Sequence, residues 1–70
     1  MTEAEQLVKN LLSEVQAARN LFHDTLIRTI TCEHVYTVED VISLLISEDI
    51  WVEYKRAGTK KFILRLEWSN

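Results

Sequence analysis

The apolar residues Ala4, Val8, Leu11, Leu12, Val15, Ala18, Phe22 and Leu26 recur at intervals of three and four, which lays them along one stripe of an amphipathic helix. Carried unbroken over residues 3–29 the helix would reach about 40 Å at 1.5 Å per residue. Twice the radius of gyration expected of a compact chain this long is only about 22 Å. The helix therefore either breaks or projects; the best-placed break is Asn20, a residue that tolerates the left-handed turn ending many helices, and a second short helix would then run over residues 21–30. If it does not break, Val8, Leu11, Val15, Ala18 and Phe22 form a near-heptad seam suited to a helix–helix dimer.

Residues 29–36 are rich in β-branched side chains and predict a connecting segment or short strand. Thr37 then has the character of an N-cap, with Glu39 and Asp40 in the first turn where acids favour the helix dipole. Val38, Val41, Ile42 and Leu45 form the buried stripe of a helix ending near Ser47, and Leu44 and Ile46 lie off that stripe.

From Ile50 the period changes to two, and Gly58 divides two β-rich runs, which predicts a hairpin. A three-residue loop Arg56-Ala57-Gly58 pairs Lys55 with Thr59, Tyr54 with Lys60, Glu53 with Lys61, Val52 with Phe62, Trp51 with Ile63, Ile50 with Leu64 and Asp49 with Arg65. A two-residue Ala57-Gly58 loop would set Glu53 against Phe62 and require a positive φ at Ala57. In the preferred register one face (Ile50, Val52, Phe62, Leu64, Leu66, Trp68) packs on the helices, and the other presents Trp51 beside Ile63 within a rim of charged pairs. The expected fold is one α+β domain over residues 1–70: one or two N-terminal helices, an amphipathic helix and a C-terminal β-hairpin, in winged-helix-like order.

Composition supports a folded domain: 47 % hydrophobic and 27 % charged residues, one glycine and no proline. At 70 residues the core is small, so self-association is expected, as a homodimer through the first-helix stripe or the hairpin edge. The lone Cys32 closes no intramolecular disulfide, and no run nears the ~18 apolar residues of a membrane span. The expected setting is the cytoplasm, with no membrane partner. Charge is polarised along the chain. Three basic against ten acidic residues give −7 over residues 1–54, and five basic residues against Glu67 give +4 over the rest.

The catalytic candidates are few. Cys32 and His34 are spaced to share a strand face, the minimum for an activated thiolate or half a zinc site. A closed zinc site needs four ligands, and His23 is the only other histidine, so a core cysteine and a solvated histidine are expected. A single glycine cannot build a phosphate-cradling loop, so no catalytic residue, metal or cofactor is assigned and a non-enzymatic role is expected.

The binding candidates are of two kinds. Trp51 with Ile63 resembles an interface core with a charged rim, and Arg19, which points into the apolar stripe, either snorkels to solvent or pairs with Glu14 or Asp24 of a second molecule. These three residues suit a protein partner. Lys55, Arg56, Lys60 and Lys61 at the hairpin tip suit a wing on nucleic-acid phosphates, although the helix before the hairpin offers Glu39, Asp40, Ser43, Ser47 and Glu48, the wrong charge for a groove. A segment from Tyr36 through Thr37, Val38, Glu39, Asp40, Val41, Ile42, Ser43 and Leu44 to Leu45, with Ser47 and Gly58 beyond it, resembles the helix-turn-helix opening of excisionase and MerR-type winged-helix proteins. The resemblance covers about a third of the chain and implies a helix over residues 50–56 with Ile50, Trp51 and Tyr54 inward. It departs from the family where Ile46 alone stands for a glycine–hydrophobe pair, and where Glu48 and Asp49 replace residues that favour DNA. The alternating pattern predicts strand there. The functional expectation is a small regulatory or adaptor protein that binds another protein, with a winged-helix-like DNA-binding regulator as the alternative.

Overall fold

In the computed structural model, which describes residues 2–69, the elements run α1 (Glu3–Asn20), β1 (Thr25–Thr31), α2 (Val35–Ser47), β2 (Trp51–Gly58) and β3 (Lys61–Glu67). The fold class is α+β, as the sequence pattern implies. The strands form one antiparallel sheet in the order β1-β3-β2.

Thr2 caps α1. Its hydroxyl accepts from the Glu5 amide at 3.1 Å while the Glu5 carboxylate accepts from the Thr2 amide at 3.2 Å, so two of the helix's orphan donors are satisfied reciprocally. Of the two alternatives the helix breaks, and it stops at Asn20, but the left-handed residue is Phe22 (φ 63°) and not Asn20. The His23 amide donates to Ala18 and the Phe22 amide to Arg19, the paired bonds of a Schellman turn. No second helix follows. Five of the seven residues of β1 are β-branched, and the segment pairs with β3 from Thr25↔Glu67 to Thr31↔Lys61.

The second helix starts at Val35, three residues before the position that capping predicts. Its N-cap is His34, whose side chain makes no capping bond, and Thr37 lies buried inside the helix. Glu39 and Asp40 consequently fall outside the first turn. The C-terminus is as expected, near Ser47, and closes with a second Schellman turn: Asp49 has φ 62°, and the amides of Ile50 and Asp49 donate to Leu45 and Ile46. The chain enters β2 directly after this turn, so the second helix of the helix-turn-helix resemblance is absent and residues 51–58 are strand.

The hairpin forms in a different register from the expected one. Trp51 lies opposite Glu67, Val52 opposite Leu66, Glu53 opposite Arg65, Tyr54 opposite Leu64, Lys55 opposite Ile63 and Arg56 opposite Phe62, with a bulge between Arg56 and Gly58. The turn is Thr59-Lys60, with Lys60 at φ 60°. The slip is an even number of residues, so every side chain keeps its face while changing its neighbour. Ile50, Val52, Phe62, Leu64, Leu66 and Trp68 are all buried against the helices, as the alternation predicts. They meet Ala4, Val8, Leu11, Val15 and Ala18 of α1 and Val38, Val41 and Leu45 of α2 in one core. Both helices lie on this face, so the other face of the sheet is open.

Candidate protein interface

The open face is set by β3, the central strand. Arg65 pairs with Glu67 at 2.6 Å and lies 3.8 Å from Glu53 on β2, an exposed ionic triad at the middle of the sheet. Trp51 and Ile27 flank the triad from opposite edges and are 59 % and 57 % exposed. Ile63 stands between Thr29 and Lys55, half-buried, and is not the neighbour of Trp51. The expected apolar centre with a charged rim is thus inverted on this face, with charge in the middle and apolar groups around it.

The apolar neighbour of Trp51 comes from α2. Ile46, Asp49, Ile50 and Trp51 line a shallow cleft of about 240 Å³ at the α2–β2 turn. The cross-strand row Thr25–Glu67–Trp51 places this cleft at the same end of the molecule as the α1–β1 turn. There Leu21 is 67 % and Phe22 88 % exposed. One end of the molecule therefore presents Leu21, Phe22, Ile46 and Trp51 together with the acids Asp24, Glu48 and Asp49. Phe22 is not legible as a binding residue because it continues the spacing of the α1 stripe, and Ile46, off the α2 stripe, is one of several apolar residues in that helix. The signal available was Leu21-Phe22 following the helix-ending Asn20. A second concavity, of about 530 Å³, runs along the helix layer between Val8, Leu12 and Leu44, edged by Glu5, Lys9 and Ser13.

Arg19 does not reach the exposed end as a free charge. Its guanidinium carbon lies 5.9 Å from the centroid of the Trp68 ring, a cation–π contact, and its Nε is buried without a hydrogen-bond partner among the described residues. The carboxylates considered as its partners are used within the chain. Glu14 accepts from Arg28 at 3.1 Å, and Asp24 accepts from the Thr25 hydroxyl at 3.1 Å.

The basic tip is divided. Lys55 and Lys61 belong to the open face, Arg56 to the helix side, where its Nε donates to the Gly58 carbonyl at 3.4 Å, and Lys60 is held by Glu33 at 2.8 Å. The helix that precedes the hairpin is α2, and Glu39, Asp40, Ser43, Ser47 and Glu48 are all exposed on it.

Cys32 is 1 % exposed, and burial, reinforced by the negative charge of Glu3, raises its thiol pKa above the ordinary value. That is the reverse of thiolate activation. The His34 ring stacks on Tyr36 at 4.9 Å, and no cluster of three or more potential metal ligands occurs among the described residues. No helix among the described residues is long and apolar enough to cross a membrane.

Comparison with known protein families, with curated proteins and with solved structures yields no match.

Proposed function

We propose that the chain is a non-enzymatic protein-binding module, of the regulatory or adaptor kind, whose partner docks at the end formed by Trp51, Ile46, Leu21 and Phe22. The observation that carries this reading is the exposure of these four apolar side chains in and beside the two turns where the helices end. Each leaves surface in water that a partner would cover, at about 25 cal/mol per Å². Tryptophan is among the residue types that dominate interface energies, and phenylalanine is enriched at interfaces. Asp24, Glu48 and Asp49 around them favour a partner with an apolar core and basic flanks, and they would accelerate encounter with it.

The test compares proteins retained by the immobilised wild type, by Trp51→Ala and by the tip variant Lys55→Glu/Lys61→Glu. A partner held by wild type and by the tip variant, and weakened at least about tenfold by Trp51→Ala, is the expected result, since loss of an aromatic anchor costs roughly 2 kcal/mol or more. Retention by Trp51→Ala together with loss in the tip variant would overturn the reading in favour of the basic tip.

A further inference from the structure

We propose that two copies of this chain join through the free edge of β2, antiparallel and centred on Tyr54, so that Glu53 of each copy lies opposite Lys55 of the other. Two routes to a dimer are foreseen from the sequence, and the structure closes one of them. The α1 stripe that would form a helix seam is consumed inside the chain, where Ala4, Val8, Leu11, Val15 and Ala18 are all buried. The sheet order β1-β3-β2 leaves one side of β2 without a strand among the described residues.

Geometry restricts the pairing. In an antiparallel ladder opposite residues share a face, so a two-fold axis through the sheet must set one residue of β2 against itself. Centring on Glu53, Lys55 or Arg56 opposes like charges directly, which is destabilising. Centring on Val52 leaves only residues 51–53 of the strand in register and sets Trp51 against a carboxylate. Centring on Tyr54 pairs residues 52–56, a ladder that stops short of the bulge at Ala57. It places Glu53 against the partner's Lys55 twice, once on each side of the axis. Lys55 makes no ion pair among the described residues of its own chain, and Glu53 reaches Arg65 only at 3.8 Å. Tyr54 itself lies on the helix side beyond the helices' cover, 53 % exposed and tilted against Phe62 at 6.5 Å. In the joined sheet the two Tyr54 rings become neighbours across the axis and shield one another.

The other edge, β1, lacks this match. Centring it on Arg28 opposes two guanidinium groups, and its remaining registers pair no opposite charges, because Arg28 is its only charged residue and is held by Glu14. The joined sheet would have six strands, with its outer face and the Trp51 end still open.

Sedimentation equilibrium on the full chain, from micromolar to millimolar concentration, tests the proposal. A wild-type dimer is expected, with Glu53→Lys and Lys55→Glu each weakening association at least tenfold and the double swap Glu53→Lys/Lys55→Glu restoring it. Mild oxidation supplies a second readout. The two copies of residue 54 would lie about 4.5–5.5 Å apart at Cα, within disulfide reach, and those of residue 53 beyond about 7 Å. Tyr54→Cys should form a covalent dimer and Glu53→Cys should not. A wild type that stays monomeric, a double swap that fails to restore association, or crosslinking by Glu53→Cys as readily as by Tyr54→Cys would overturn it. Phe22 lies in the α1–β1 turn, away from β2, so Phe22→Gly should leave the dimer intact whatever its effect on a protein partner.

Discussion

Phe22 is the residue at which local backbone cost and exposure disagree most. At φ 63° its Cβ crowds the backbone, a conformation that glycine adopts freely, and its ring is 88 % exposed, so no packing repays the strain. Phe22→Gly is expected to stabilise the domain by about 1 kcal/mol, seen as a rise of about 4–8 °C in melting temperature. If the exposed end is the docking surface, the same variant loses its partner. A gain in stability with a loss of binding would identify Phe22 as held there for recognition. Cys32 gives a second expectation at this scale. Its folded-state pKa is raised above the ordinary 9.0, so below that value the thiol is protonated in both states and its contribution is complete. As pH rises past 9.0 the unfolded chain releases the proton first and stability falls. Urea denaturation of wild type and Cys32→Ala, compared on either side of that pH, should show a steeper alkaline decline in wild type.

The elements show how far periodicity reaches. The stripes of both helices and the buried face of the hairpin are legible because burial repeats every 3.6 or 2 residues whatever the neighbours are. Strand β1 is not legible in the same way. Leu26 continues the spacing of the helical stripe, and only the density of β-branched residues around it speaks for strand. The Thr2–Glu5 capping box is a local pattern that the sequence displays and that marks the helix start directly. The hairpin register is decided elsewhere. Matching charges across a two-strand hairpin favours Glu53 against Lys61, but β3 also pairs with β1 and must bring Leu64 and Leu66 beneath both helices. With the turn moved to Thr59-Lys60, Glu53 meets Arg65 instead. The pairing of Trp51 with Ile63 fails for this reason, and with it the apolar centre expected on the open face.

At the scale of the molecule the two binding hypotheses separate by charge. The hairpin tip is basic and the turn end is apolar and acidic, so a nucleic acid and a protein would use opposite ends. With Lys60 held by Glu33 and Arg56 turned to the helix side, the four basic residues do not form one phosphate-contacting row. Titrating Trp51 and Trp68 fluorescence with duplex DNA at about 50 and 200 mM salt should show no salt-sensitive binding. A log–log salt slope near about −3.6, the mark of four phosphate contacts, would reinstate the wing.

What the sequence by itself determines is the alternation of buried and exposed positions, and hence two amphipathic helices, a hairpin with a defined inner face and an α+β class. These depend on the period of each segment alone. The tertiary structure decides which strand lies beside which, where the turn of the hairpin falls and which apolar residues remain uncovered. Trp51, Ile46, Leu21 and Phe22 lie on different elements, and only the placement of both helices on one face of the sheet, ending at the same side, brings them to one end of the protein.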